Sequence, residues 1–411
     1  MEAWQTKPIG EAFRVVNGGT PNTAVSAYWG GNHHWITPAE MGGLSSPYLS
    51  VTRRTLTEEG LRVGAELVPA NSIILSSRAP IGHLVINEVP MAFNQGCKGL
   101  VPSIGIDTKF AYYFLLVNVP LLESLGTGAT FKELSGGKLG TVPFRFPALP
   151  EQRRIVAILD EAFENFAISK ANAEKNLQNA RGLFKGYLEA VFTQGGASWV
   201  ERLLGDVCEF ENGDRGTNYP NRSEYVESGI PWINTGHIRP DGTLSTEAMN
   251  FITREKFNSL RSGKIQPGDL VYCLRGATLG KTALVAPLTE GAVASSLVIL
   301  RPSPHLDSKF LYFFLTSPPG QGLIRRFENG AAQPNLGARS VARFPIPVPP
   351  VAEQQRVAAK FTEIWEATQC LAEIYERKVA ALEALKGSLL HQAFSGALVT
   401  NSTHQQVEAV A

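Results

Sequence analysis

The residues of this 411-residue chain that come nearest to a chemical site are Gly276-Ala-Thr-Leu-Gly280-Lys281-Thr282. A glycine-rich loop ending in Gly-Lys-Thr after a strand can wrap a nucleotide's phosphates, with backbone N–H groups as donors and the lysine as counter-charge. Here three residues separate the glycines where the phosphate loop has four, and Arg275 stands where its first glycine belongs. That loop is short for the task, and a nucleotide-dependent enzyme is carried as an alternative of another class. His33-His34 could ligate a metal, yet adjacent side chains on a strand diverge and no carboxylate or cysteine lies beside them. Cys97, Cys208, Cys273 and Cys370 are scattered, which gives neither a zinc knuckle nor a disulfide framework and suits a reducing compartment. No Gly-x-Ser-x-Gly elbow or His-Glu-x-x-His pair occurs, and Ser317-Pro-Pro-Gly320 lacks the amide and aromatic that an amino-methyltransferase uses. Asp241 has no Glu-x-Lys downstream at nuclease spacing. These absences favour a non-catalytic binding scaffold.

Charge narrows what such a scaffold could bind. Thirty-eight Lys and Arg stand against 37 Asp and Glu, a net charge of +1, which excludes a histone-like binder that grips nucleic acid by bulk electrostatics. With 44% hydrophobic and 18% charged residues the chain can bury sizeable cores. Its 39 glycines and 26 prolines lie between apolar runs and indicate a loop-rich body. The N-terminus lacks a signal-peptide pattern and no run approaches the ~18 apolar residues of a membrane span, so a cytoplasmic location is expected.

The elements that would position any site come in two copies. Trp4-Gln-Thr-Lys-Pro-Ile-Gly10 is matched by Trp199-Val-Glu-Arg-Leu-Leu-Gly205, and Trp35-Ile-Thr37 by Trp232-Ile-Asn234. Asp107-Thr-Lys-Phe-Ala-Tyr-Tyr-Phe-Leu is answered 200 residues later by Asp307-Ser-Lys-Phe-Leu-Tyr-Phe-Phe-Leu. Glu151-Gln-Arg-Arg-Ile-Val-Ala is answered 202 residues later by Glu353-Gln-Gln-Arg-Val-Ala-Ala. A slowly growing offset is what small loop insertions within a duplicated unit produce.

Each copy starts with short β-rich runs, of which Ser72–Ser76 and Asp269–Leu274 are the clearest, and short helices are expected at 110–117 and 310–316. Proline-rich turns at 143–150 and 345–350 close the globular parts. A long helix follows each. Apolar or small residues recur at steps of three and four from Ile155 through Leu159, Ala173, Ala180 and Phe184 to Val191. The second stripe runs from Val357 through Phe361, Thr368, Leu371 and Leu385 to Leu389. A helix of roughly 40 residues spans ~60 Å and cannot bury its stripe in one small domain, so its expected partner is the other copy.

This organisation resembles the specificity subunit of type I DNA restriction-modification systems. The resemblance rests on the helix starts Pro150-Glu-Gln-Arg-Arg-Ile155 and Ala352-Glu-Gln-Gln-Arg-Val357. It rests also on Asn17-Gly-Gly-Thr-Pro21, Tyr28-Trp-Gly-Gly31 and Trp35-Ile-Thr-Pro38, patterns that the second copy keeps less fully. It implies an α+β architecture with a pseudo-twofold internal repeat. Target-recognition domains would occupy 1–148 and 198–350, and spacer helices 149–197 and 351–396 would form an antiparallel coiled coil ahead of a flexible C-terminal tail at 397–411. It also implies a non-catalytic subunit that reads an asymmetric two-part site in double-stranded DNA. Two methyltransferase subunits would dock on it and restriction subunits would join through them. This chain would bind no cofactor itself, and the partners would use S-adenosylmethionine, ATP and Mg2+. A related specificity chain, from an enzyme cutting on both sides of its site, is a further alternative.

On that reading, polar residues in the loops become candidate DNA contacts. The globular parts carry 11 Lys and Arg against 10 Asp and Glu, and 16 against 14, a small excess that leaves most phosphate neutralisation to partners. In the first copy the candidates are Asn17, Thr20 and Asn22 around the Gly-Gly-Thr-Pro turn, the pair Arg53-Arg54, Arg78 at a strand end, and Lys132. Asn can read adenine and Arg guanine, but turn-forming Asn and solvated Arg remain open readings. In the second copy they are Arg215, Asn218, Tyr219 and Arg222, then His237 and Arg239 after the Trp232 strand, Arg275, Lys281, Gln333 and Asn335. Arg78 and Arg275 stand near one place in the two copies, slipped by one residue, and Trp35 and Trp232 are expected to anchor cores.

Overall fold

The computed structural model describes residues 4–44, 46–78, 80–128, 132–328, 335–395 and 398. The chain divides into two compact units, the first within Met1–Asn172 and Lys378–Ala411, the second within Ala173–Arg377. Among the described residues no helix is long and apolar enough to cross a membrane.

In the first unit five strands form one sheet in the order Phe13–Asn17, Cys97–Pro102, Ile73–Ser77, Ile81–Asn87, Tyr48–Leu49. A smaller sheet sets Trp29–Ile36 between Arg54–Leu56 and Met91–Phe93. The second unit repeats the plan. One sheet runs Cys208–Asn212, Leu297–Pro302, Leu270–Cys273, Thr282–Leu284, and the other runs Tyr225–Val226, Asn250–Ile252, Ile230–Ile233, Ala292–Val293. Register makes the correspondence residue by residue. Trp35 faces Arg54 and Ala92, and Trp232 faces Asn250 and Ala292, with the same antiparallel and parallel senses.

The expected short helices are Thr108–Val117 and Ser308–Thr316, each starting at an aspartate. The Asp107 carboxylate accepts from Phe110 N at 3.0 Å and that of Asp307 from Phe310 N at 2.9 Å, which satisfies one orphan donor of each first turn. Asp307→Ala is expected to cost about 1 kcal/mol, read as a lower urea midpoint of unfolding.

The proline-rich segments differ from expectation. Pro143–Phe146 and Pro345–Val348 are strands, paired antiparallel with Gln5–Pro8 and Val200–Leu203. Alternation buries Phe144 and Phe146. A two-stranded ribbon gives each proline an open side on which its missing donor costs nothing.

The long helices are α1, Leu149–Gln194, and α2, Val351–Ser395. Each unit takes one half of each helix. In the first unit Lys170 pairs with Glu383, and Lys386 lies 5.1 Å from the Phe163 ring, so the two segments run antiparallel. In the second, Arg181 meets Glu376 at 2.6 Å and Tyr187 meets Phe361 at 5.7 Å, again antiparallel. Ile155 and Leu159 of α1 and Leu390 and Ala393 of α2 are buried in the first core with Phe110, Phe114 and Phe144. Leu188 and Phe192 of α1 and Ala358 and Phe361 of α2 repeat this in the second. The stripe read from spacing is offset in places: Leu371 and Leu385 are 39% and 51% exposed, and Ala372 is buried instead. An α-helical period of 3.6 drifts against a three-four pattern, and small residues let the seam tighten where Leu would not fit.

One buried side chain at each helix start is bonded to three backbone groups of the globular part. Gln152 Oε1 accepts from Asp107 N at 2.8 Å, and its amide donates to Gly105 O at 3.0 Å and Pro147 O at 2.9 Å. Gln354 does the same with Asp307 N at 2.7 Å, His305 O and Pro349 O, both at 2.8 Å. Both glutamines are fully buried. Only an amide supplies an acceptor and two donors at one site, which accounts physically for the repeated Glu-Gln at the helix starts.

Candidate nucleic-acid interface

In the first unit the candidate site is organised around two tryptophans. Trp29 and Trp35 meet edge to face at 5.0 Å, and the Arg54 guanidinium lies 3.6 Å from the Trp29 ring and 5.3 Å from Trp35. Arg54 is exposed, with no carboxylate within ion-pair distance among the described residues. Its fork is therefore oriented by stacking and left free for a ligand. The tryptophans also pin the loop that carries the asparagines: Trp35 Nε1 donates to Gly19 O at 3.0 Å and Trp29 Nε1 to Asn22 O at 3.3 Å. Gly18 and Gly19 are required there, since a Cβ on either would sit 1.9 Å from a backbone oxygen, of Asn94 and Gly64 respectively.

The other predicted residues of this unit fall into different roles. Asn22 Oδ1 accepts from Ala24 N at 3.0 Å, the turn-forming use of the side chain, and Thr20 Oγ1 bonds Gln95. Arg53 is exposed, its backbone N held by Glu40 at 2.8 Å. Asn17 lies opposite Lys98 at the end of its strand. Arg78 is already engaged, donating to Glu133 at 2.6 Å and holding that carboxyl below the usual carboxylate range, while Lys132 beside it is exposed. Lys98, which sequence reasoning passed over, is buried near this pair, and burial lowers its ammonium pKa.

Strand register removes the slip between the two arginines. Leu75 faces Lys98 and Tyr272 faces Val298, so three residues on Arg78 and Arg275 occupy one place, bridged to Glu133 and Asn335 respectively. The extra residue sits in the turn that follows. Where the first copy has an ion pair, the second leaves Arg275 exposed, with an asparagine at the bridged position.

In the second unit Tyr219 packs edge to face on Trp232 at 5.4 Å. With Arg222, Tyr225, Asn234 and Asn250 they line an open cleft of about 510 Å³. Its rim is fixed locally. Asn218 donates to Ser259 O at 2.7 Å and Arg215 to Ser295 O at 3.3 Å. The buried Asp214 accepts from Gly216 N at 2.7 Å and Arg261 N at 2.9 Å, bonds that hold its carboxyl low. Asn250 was not singled out from sequence, because one Asn in a three-residue strand carries no pattern. Trp35 and Trp232 are 2% and 1% exposed, core anchors as expected.

Two expectations change. His237 is buried: Nδ1 accepts from Asn234 N at 3.0 Å and Nε2 lies 3.0 Å from Ala248 O, so neither ring nitrogen faces outward and the ring shapes its loop. The Gly276–Thr282 segment is the tip of an antiparallel hairpin between Leu270–Cys273 and Thr282–Leu284. Gly276–Thr278 is one 3-10 turn, Gly280 N donates to Cys273 O at 2.9 Å and Lys281 N to Thr278 O at 3.0 Å. A strand and not a helix follows the loop, and the N–H groups of Leu279, Gly280 and Lys281 are spent within the hairpin. The arrangement is therefore not a phosphate loop and does not favour the nucleotide alternative. Lys281 is exposed at this tip. Arg239 is tied to its own loop by Ser245 at 3.4 Å and Glu247 at 3.6 Å. Asn335 is exposed, and Gln333 lies outside the described residues.

A family model described as the type I restriction modification DNA specificity domain matches residues 1–179 and again 197–377. The specificity subunit of the type I restriction enzyme MjaIX of Methanocaldococcus jannaschii is 26% identical over 333 residues, 76% of this chain and 75% of that protein. The EcoR124I/EcoR124II specificity subunit of Escherichia coli is 31% identical over 166 residues, 38% of this chain and 40% of that one. Among solved structures, a chain from work on assembly and conformational transition of the type I R-M system superposes with a TM-score of 0.75 at 17% identity, covering 95% of this chain and 97% of its own. The HsdS subunit of Thermoanaerobacter tengcongensis gives 0.62 at 18% identity, over 96% and 97%. At these identities the superpositions speak for the fold.

Proposed function

Because the chain belongs to the type I restriction-modification DNA specificity family, with both copies of the domain present, we propose that each unit reads one part of an asymmetric two-part DNA site. The chain is the system's specificity subunit and not a catalyst, and its partners are DNA and the modification and restriction subunits. Two methyltransferase subunits dock on it, one per repeat, and restriction subunits join through them. The base chemistry, with S-adenosylmethionine, ATP and Mg2+, belongs to those partners, and the complex works in the cytoplasm.

The observation that carries the reading is one fold used twice with different side chains at equivalent places: Arg54 against Asn250, and Glu133 against Asn335 beside an arginine. Identical readers would select a palindrome; diverged ones select two unrelated sequences. Arg53, Arg54 and Lys132 in the first unit, and Arg222, Arg275 and Lys281 in the second, are exposed cations with no carboxylate partner among the described residues. With Asn17, Thr20, Asn22, Arg215, Asn218, Tyr219 and Asn335 around them, they make up the proposed DNA faces. Exposed Ile168, Leu183, Leu371, Ile374 and Leu385 on the long helices support docking of partner subunits there. Near-neutral charge fits this division, since partners then hold most of the phosphates. Methylome sequencing of cells expressing the complete system is expected to return one two-part motif with an unread gap. A single uninterrupted or palindromic motif would overturn the proposal.

A further inference from the structure

We infer that one position, the residue directly across the strand pair from the buried tryptophan, reads a base in each part of the site: Arg54 a guanine, and Asn250 an adenine. This rests on the specificity reading above and adds the residue and the base class.

The two positions are structurally the same. Trp35 pairs with Arg54 and Trp232 with Asn250 across antiparallel strands, and the next strand on the other side places Ala92 and Ala292 opposite the two tryptophans. The aromatic neighbour is also shared, since Trp29 pairs with Leu56 and Tyr225 with Ile252, two residues beyond Arg54 and Asn250. Opposed residues of an antiparallel pair lie on one face, so each polar group stands over an aromatic floor. In the first unit that floor is Trp29 and Trp35, and in the second it is Tyr219, Tyr225 and Trp232 lining the open cleft.

Both polar groups are uncommitted, and both are planar. The Arg54 guanidinium is exposed, stacked at 3.6 Å and without an ion partner among the described residues. The Asn250 side chain is half-buried in the cleft and makes no hydrogen bond among the described residues. Their neighbours contrast with them. Asn234 caps its own turn through Gly236 N at 2.8 Å, and Asn218 is spent on Ser259 O. A guanidinium fork matches guanine O6 and N7, and a carboxamide matches adenine N7 and N6, each as a two-bond pair. Orientation by stacking lowers the entropy lost when such a pair forms. An equivalent position that differs in kind between the copies is where two halves of an asymmetric site would diverge.

The test uses the complete modification complex and the parent chain beside Arg54→Lys, which keeps the charge but loses the fork, and Asn250→Ala. Competition among randomised DNA sites measures selectivity at every position. Arg54→Lys is expected to relax one G·C position in one part of the site by roughly tenfold to a hundredfold and leave the other part unchanged. Asn250→Ala is expected to relax one A·T position in the other part by a similar factor. The unaltered part reports that the variant is folded. Unchanged selectivity at all positions, a relaxed pair of the wrong kind, or equal loss at every position of a part would each overturn the inference while leaving the specificity reading standing. A parent complex that selects no two-part sequence would sink both.

Discussion

Gln354→Leu is expected to destabilise the second unit by about 2–6 kcal/mol, a large share of the ~5–15 kcal/mol that holds a typical domain together. Leucine fills nearly the same volume, so the loss is not a cavity. What is lost is the partner of three groups at once: Asp307 N, His305 O and Pro349 O. Pro349 O is left buried and unpaired at roughly 1–3 kcal/mol, and the partly buried Asp307 N and His305 O each lose a bond worth about 0.5–1.5 kcal/mol. Because Asp307 also caps the helix Ser308–Thr316, the damage reaches the segment whose Phe310, Phe313 and Phe314 pack against Phe192 and Phe361 of the long helices. The check is urea unfolding, with hydrogen exchange of residues 305–316 as the local reporter. Gln354→Glu separates hydrogen bonding from packing. Burial beside two carbonyl oxygens raises the folded-state pKa of the introduced carboxyl above its unfolded value of about 4.3. A raised carboxyl penalises folding only where it must ionise, so the deficit of this variant relative to the parent grows as pH rises through about 4.3 and levels off above the folded pKa. The leucine variant shows a flat deficit over the same range. A pH-independent deficit for both would mean that packing, not the lock, is being measured.

The lock was visible in the sequence as a repeated Glu-Gln but not interpretable there, because its partners are backbone groups 45 to 47 residues upstream and five before it. The same limit recurs. Duplication, helix starts and long helices were legible, since they rest on local spacing and on similarity between copies. The strands at Pro143–Phe146 and Pro345–Val348 were not, since proline content argued for a turn and pairing with the first strand of each copy overrode it. Candidate site residues were legible as types. Their roles were decided by tertiary partners: His237 turned inward on Ala248 O, Arg78 was taken by Glu133, and Arg54 was laid on Trp29. Asn250 needed the register, because only the strand pairing shows that it holds the place of Arg54.

Exchanging residues 1–148 for the corresponding domain of a relative is expected to replace one part of the recognised site completely, with a change in selectivity of roughly a thousandfold or more, and to leave the other part as it was. Physical grounds for expecting the graft to fold lie in the junction. The Gln152 lock reaches Asp107 N, Gly105 O and Pro147 O, all backbone, so an incoming domain needs the same chain path there and not the same side chains. The remaining attachment is largely apolar. The exception is Asp160 of the recipient, which accepts from Lys109 Nζ at 2.7 Å and from the Tyr113 hydroxyl, so the incoming helix should keep that lysine and tyrosine. Ile155 and Leu159 stay with the recipient, as does Phe394, which meets Phe110 at 5.0 Å and Phe114 at 5.9 Å. An incoming helix that keeps aromatics at these two places preserves burial worth about 1.5–3 kcal/mol per large side chain. One that places a charge at either should fail to assemble rather than change specificity. The readout is the methylation motif of the chimaeric system. Change in both parts would mean that the units are not independent readers, whereas change in neither would place sequence selection outside residues 1–148.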